Sequence, residues 1–66
     1  MPIAEIIEIS CKSLESFEEA IQDGISRVSK TIHNIKSAWV KEQHVVIESN
    51  KVSLYLGELT LTFVLE

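Results

Sequence analysis

The chain has 66 residues, of which 45% are hydrophobic and 24% are charged, and its formal net charge is −4. A chain of this length buries only about 60% of its unfolded surface, so its stability is marginal without a disulfide, a metal or a partner. Cys11 is the one cysteine, which excludes an internal disulfide and the Cys/His clusters of a structural zinc site. Oligomerisation remains as the source of added stability.

The distribution of charge and hydrophobicity excludes several partners. The six Lys and Arg residues form no basic cluster of the kind that binds a phosphate backbone, so we expect no nucleic-acid partner. No apolar run approaches the roughly 20 residues that span a bilayer, and the N-terminus lacks the basic start and apolar centre of a signal peptide. We therefore expect a cytoplasmic protein with no membrane partner, in which residues 1–66 form a single domain.

The first two predicted elements are a strand and a helix. Residues 3–11 are rich in isoleucine and favour a strand. Ser13 and Ser16 are both candidate helix caps, the second with Glu19 in an S-x-x-E pattern, and Asn34 is the predicted end of the helix. Apolar residues recur at helical spacing in one stripe, which contains Phe17, Ala20, Ile21, Gly24, Ile25, Val28 and Ile32. Because glycine costs about 1 kcal/mol in a helix, its presence there predicts close approach to the sheet.

Two further strands complete a β-α-β-β order. Residues 37–47 and 52–65 are rich in β-branched, aromatic and aliphatic residues, and the polar residues 48–51 predict a hairpin turn between them. Alternation along the last strand predicts which side chains pack on the helix, namely Tyr55, Leu59, Leu61, Phe63 and Leu65.

The hairpin register predicts an uncovered sheet face. With a loop at 48–51, Ile47 lies opposite Val52, and the ladder then pairs Gln43 with Leu56, Lys41 with Glu58, and Trp39 with Thr60. The face away from the helix then carries Ser37, Trp39, Lys41, Gln43 and Val45. One helix cannot cover both faces, so a tryptophan flanked by Val45 and Leu56 predicts an interaction site.

Nearly the whole chain resembles the dodecin family. The resemblance is carried by the run SLESFEEAIQDGISRVSKTIHNIKSAWVKEQ, a following hairpin and the ending LTLTFVL. Its most specific parts are S-x-x-S-F-x-x-A at the helix start, V-x-E-Q at 40–43, and single positions at Arg27, Thr31, Asn34 and Phe63. The resemblance implies an α+β fold in which a three-stranded antiparallel sheet wraps on one helix. It also implies a hollow homododecamer that in many members binds and stores flavins, without catalysis.

The resemblance also indicates where a flavin would lie, and the chain departs from the family pattern at both key positions. Flavin-binding members stack the ring on a tryptophan that begins the second strand, and they contact it with a glutamine after the tyrosine of the third strand. These positions fall here on Ser37 and Leu56. Trp39 is two positions further on, which is roughly 6.5 to 7 Å along the strand. The ligand-binding set predicted here is Ser37, Trp39, Lys41, Gln43 and Leu56.

Three interpretations of Trp39 remain open. In the first it stacks a flavin (FMN, FAD or riboflavin) or another planar ligand in a shifted pose, with Gln43 or Lys41 as polar contacts. In the second it packs across a subunit interface, where tryptophan is enriched. In the third the shell binds calcium, as some dodecin-like proteins without the flavin residues do, although the chain has no D-x-D-G-type loop.

No catalytic or metal-binding residues are predicted within one chain. His33 and His44 lie eleven positions apart on different elements, so they lack the spacing of metal ligands. Cys11 has no local histidine or basic cluster to lower its pKa, which favours a structural thiol over a nucleophile. The acidic residues of 15–23 are typical of a solvated helix face. We therefore expect a protein that is not an enzyme.

Overall fold

The computed structural model describes residues 3–65, which form one helix and three strands. The elements are β1 (Ile3–Ser13), α1 (Phe17–Val28), β2 (Ile35–Glu48) and β3 (Lys51–Leu65). The strands form one antiparallel sheet in the order β1-β3-β2, and α1 packs against β1 and β3. The predicted α+β class and β-α-β-β order are confirmed. Within the described range, no helix is long and apolar enough to span a membrane.

Ser13 and Ser16 form different hydrogen bonds in the segment between β1 and α1. Ser16 is the N-cap, because its hydroxyl accepts a hydrogen bond from the backbone N–H of Glu19 at 3.0 Å. The buried Ser13 hydroxyl accepts the N–H groups of Glu15 and Ser16 at 2.9 and 3.4 Å, so it shapes the turn before the helix. The S-x-x-E alternative in the sequence is therefore the cap.

The helix ends earlier than the sequence pattern indicates. Its last residue is Val28, whose carbonyl accepts the N–H groups of Thr31 and Ile32 in a tight final turn. Asn34 has a left-handed φ of 61° and leads into β2, which a helical residue cannot do. Asn34, the predicted terminator, therefore lies six residues beyond the last helical residue, so the predicted helix end was too late. The apolar spacing of Ile32 suggested a longer helix, but the chain already turns after Val28.

The hydrophobic core lies between α1 and the strands β1 and β3. Its buried cluster contains Cys11, Ala20, Leu59 and Leu61. A Cβ atom placed on Gly24 would lie 3.0 Å from the Cβ atom of Cys11, which confirms the predicted close approach. At one end of the core, Phe17 and Tyr55 contact edge to face with ring centroids 5.1 Å apart.

The hairpin between β2 and β3 is tighter than predicted. Ser49 and Asn50 have φ values of 52° and 63°, and Glu48 pairs with Lys51, so the connection is a two-residue turn with both residues left-handed. The predicted pairing of Ile47 with Val52 is confirmed, and the predicted pairing of Trp39 with Thr60 is confirmed as well.

Between those two pairs the predicted register was wrong by one residue. Gln43 pairs with Gly57, not with Leu56, and Glu58 pairs with Glu42, not with Lys41. The cause is two β-bulges, in which Ser53 on β3 and Lys41 on β2 have no partner across the hairpin. Because each strand contributes one extra residue, the second bulge restores the register that the first one shifts.

Between the two bulges, the side chains of β2 lie on the opposite face of the sheet from the one predicted. Gln43 and Val45 pair with Gly57 and Tyr55, which belong to the helix side of the sheet, so these two residues are on that side as well. Their predicted place beside Trp39 was wrong.

Candidate functional site

The sheet face opposite α1 carries a row of side chains that ends at Trp39 on the edge strand β2. Trp39 pairs with Thr60, and Thr60 pairs on its other side with Glu8, so the row crosses all three strands. Trp39 exposes 73% of its surface. We call this surface the outer face; its described residues around the row are Ile6, Glu8, Ser37, Trp39, Lys41, Glu42, Glu58, Thr60 and Thr62.

A second row runs beside the first toward the start of β2. The hydroxyls of Ser37 and Thr62 hydrogen-bond to each other, and Thr62 also pairs with Ile6, which is 64% exposed. The apolar parts of Trp39 and Ile6 therefore flank two threonines. A flat surface of this kind suits the face of a planar ring.

Lys41 reaches across the sheet to the far strand. Its Nζ donates to Glu8 Oε2 at 2.9 Å, so the predicted partner Glu58 was wrong. The bulge at Lys41 frees this residue from strand pairing and explains its reach. The hydrogen bond and charge of Glu8, followed by the charges of Glu58 and Glu42, raise the pKa of Lys41 above its ordinary value of 10.5. Lys41 is therefore charged at neutral pH.

Glu42 and Glu58 lie directly opposite each other in the next row. Two like charges at paired positions of a sheet destabilise it. Neither carboxylate forms an ion pair with a cation of residues 3–65, since Lys41 pairs with Glu8 and Arg27 pairs with Asp23 on the helix. Two negative charges therefore stand uncompensated next to the row of Trp39.

The structure brings together three of the five predicted ligand-binding residues. Ser37, Trp39 and Lys41 adjoin one another on the outer face. Gln43 is on the helix side of the sheet. Leu56 pairs with His44, four residues along β3 from Thr60, which places it about 13 Å from the row of Trp39. It lines a separate cavity of about 290 Å³ together with helix residues that include Gly24 and Arg27.

Two residues near Trp39 were not identified as site residues from the sequence. Glu8 and Glu42 reach the outer face because of the strand order and the bulge at Lys41. The alternation of Glu8 with isoleucines was the one available indication, since it predicts a polar face on β1. Glu42 belongs to the V-x-E-Q motif, but the motif does not show on which face of the sheet its side chain lies.

Cys11 is a structural thiol in this arrangement. It is 6% exposed, and its Sγ donates to the carbonyl oxygen of Gly57 at 3.5 Å. Burial raises its pKa above the ordinary value of 9.0, so the thiolate is scarce at neutral pH. Across residues 3–65, no three acidic, histidine or cysteine side chains are grouped so that they could hold a metal ion.

Comparison with known proteins gives a consistent match to one family. The model of the dodecin family matches residues 3–66. A variant of the dodecin of T. thermophilus is similar in structure with a TM-score of 0.93 and 30% identity, covering 100% of this chain and 98% of that chain. The dodecin of Streptomyces davaonensis is similar with a TM-score of 0.91 and 25% identity, covering 98% and 96%.

A calcium-binding relative has the same fold. The calcium dodecin of Mycobacterium tuberculosis, described as a calcium-chelating antigen with a calcium-binding site, has a TM-score of 0.83 and 26% identity. The match covers 97% of this chain and 91% of that chain. Among curated protein sequences, none matches.

Proposed function

This chain belongs to the dodecin family, and from that premise we propose that it is a non-catalytic subunit of a hollow homododecamer that sequesters a small planar ligand at Trp39. The observation that carries the proposal is the exposure of Trp39, at 73%, on the edge strand β2 and on the sheet face opposite the helix. Exposed tryptophan in an ordered strand is characteristic of an interaction surface.

Self-association is supported by the apolar surface of the long hairpin. Near its turn, Val46, Ile47 and Val52 are 37%, 55% and 46% exposed. An isolated two-stranded hairpin is only marginally stable in water, and β2 contacts chiefly β3. Dodecins are homo-oligomeric, so other copies of the chain would cover these residues. The number twelve comes from the family.

The ligand class follows from the surface around Trp39. The indole offers a ring for stacking, while Thr60 and Lys41 offer polar groups beside it. Flavins are bound by relatives of this chain. Because Ser37 occupies the position of the stacking tryptophan in those proteins, a flavin would have to shift by roughly 6.5 to 7 Å along β2 to stack on Trp39.

Calcium binding is the second candidate, and the opposed carboxylates of Glu42 and Glu58 favour it together with the calcium-binding relative. Calcium requires six to eight oxygen ligands. Two carboxylates from one chain do not supply them, so copies related by symmetry would have to complete the site.

The proposal is tested by measuring mass and flavin binding on the same preparations. Light scattering should give a particle of twelve 7.4 kDa chains. Riboflavin titrated with the native protein should lose its fluorescence, and Trp39→Ala should weaken this binding at least tenfold while keeping the particle mass. Leu14→Ala is the matched control, since Leu14 is 76% exposed and lies outside the outer face.

Each alternative gives a different result. A monomeric mass contradicts the shell. A shell without quenching contradicts the flavin site, and loss of the shell in Trp39→Ala would then assign Trp39 to a subunit interface. A melting temperature that rises with calcium and falls back with a chelator would support the cation site, because a ligand of the folded state stabilises it.

A further inference from the structure

We propose that Glu58, with Glu42, makes the outer face selective for an uncharged ring system over the phosphorylated form of the same ring. The inference rests on the proposed ligand site at Trp39 and names its ligand class. It assigns Glu58 as a specificity-determining residue.

Glu8 lies in the row of Trp39 but is paired with Lys41. Glu58, in contrast, lies in the adjoining row and has no ion pair within residues 3–65. It lies two residues from Thr60 on the same face of β3, which makes it a diagonal neighbour of Trp39 at about 7 to 8 Å between Cα atoms. Glu42 stands opposite Glu58, and both are exposed. A ligand that covers Trp39 and Thr60 therefore borders both carboxylates.

The lysines near Trp39 do not offset these charges. Lys41 is held at 2.9 Å by Glu8, so that pair is neutral as a unit. Lys36, the extra residue of a third bulge, adjoins Ser37 in the row on the other side of Trp39. Lys12 pairs with Leu56 beyond Glu58, about 13 Å along the sheet from the row of Trp39, so the rows next to Trp39 hold one positive charge against two negative ones. The net charge of −4 on each chain is multiplied in any homo-oligomer and adds a repulsion of the same sign.

Riboflavin and FMN isolate the effect, because they share one ring system and differ by a phosphate of charge about −1.5 to −2 at pH 7. Coulomb interaction of that phosphate with one or two carboxylates in water predicts that FMN binds about five- to tenfold more weakly than riboflavin at low salt. Added salt screens the repulsion, so the ratio should approach one at about 0.5 M.

The experiment titrates both flavins into the intact oligomer at low and high salt and repeats this with two variants. Glu58→Gln should lower the affinity ratio about threefold, because it should improve FMN binding more than riboflavin binding. Glu18→Gln, which removes the same charge from the exposed side of the helix, should leave the ratio unchanged.

The outcomes separate this inference from the proposed function. Equal or tighter binding of FMN at low salt overturns the charge selection and leaves the ligand site standing. An equal effect of Glu58→Gln on both flavins also overturns it, because a general disturbance of the site would act on both. Absence of quenching by either flavin overturns the ligand site, and the selection with it.

Discussion

The two faces of β3 differ in almost every physical respect although they alternate along one strand. Leu59 and Leu61 on the helix side are 0% exposed, while the intervening Thr60 pairs with the highly exposed Trp39. On the helix side, the buried Ser13 and Cys11 both form hydrogen bonds within the chain. The part of the helix side that α1 covers, on β1 and β3, is therefore packed within a single subunit.

The outer face breaks local rules that the helix side obeys. It places Glu42 opposite Glu58 and leaves a large aromatic side chain uncovered. Natural sequences tend to depart from local consistency at functional sites. With the function proposed above, this contrast predicts that core substitutions on the helix side lower stability strongly, whereas substitutions on the outer face affect stability little.

The largest difference in the free energy of unfolding is expected between substitutions at the neighbouring residues Leu61 and Thr60 of β3. Leu61→Ala should lower the free energy of unfolding by about 2 to 5 kcal/mol, because it leaves a cavity in the core. Thr60→Ala on the outer face should change it by less than about 0.5 kcal/mol. Urea unfolding of the two variants measures both values, and similar losses would contradict the division of the faces.

A smaller loss is expected where the helix touches the sheet. Gly24→Ala should lower the free energy of unfolding by about 1 kcal/mol, because overpacking against the Cβ atom of Cys11, 3.0 Å away, outweighs the gain in helix propensity. Ser26→Ala on the exposed side of α1 is the control and should be neutral or slightly stabilising. A stabilised Gly24→Ala protein would show that helix and sheet can separate freely.

On the outer face, removing a charge should stabilise the protein. Glu42→Gln relieves the repulsion from Glu58 and should raise the free energy of unfolding by a few tenths of a kcal/mol. Repeating the urea titration at about 0.5 M salt should shrink the gain, since exposed charges are screened. A loss of stability would indicate that Glu42 has a favourable partner in the assembly.

The smallest effect is expected from the ion pair of Lys41 and Glu8. Since the folded state raises the pKa of Lys41 above 10.5, the stabilisation is fully present below that pH and disappears as the pH rises through the raised value. Lys41→Gln should therefore melt slightly below the native protein at neutral pH and together with it in strong alkali.

The difference in melting temperature between the native protein and Lys41→Gln does not depend on the Cys11 thiol, because both proteins contain it. The raised pKa of Cys11 lowers stability above pH 9.0 in both proteins, because the folded state keeps its proton longer than the unfolded chain does. Melting curves from neutral pH to about pH 11.5 give the difference. A difference that persists at the highest pH would show that Lys41 acts through packing of its aliphatic chain instead.

Much of the helix side could be predicted from the sequence. The stripe containing Ala20 and Gly24 follows the helical period, and the buried residues Leu59 and Leu61 follow the strand period. These periods are properties of the local backbone, so they survive in any tertiary setting. The same reasoning identified Trp39 as exposed.

The outer face around Trp39 could be predicted only in part, because its composition depends on pairing. The sequence by itself determined the α+β fold class, the element order and the exposed tryptophan, since these depend on local period and turn chemistry. Only the tertiary structure decided that Gln43 lies on the other face and that Lys41 bonds to Glu8, 33 residues away. A bulge results from the fit of one strand to another, and a single extra residue reverses every side chain until a second bulge restores the register.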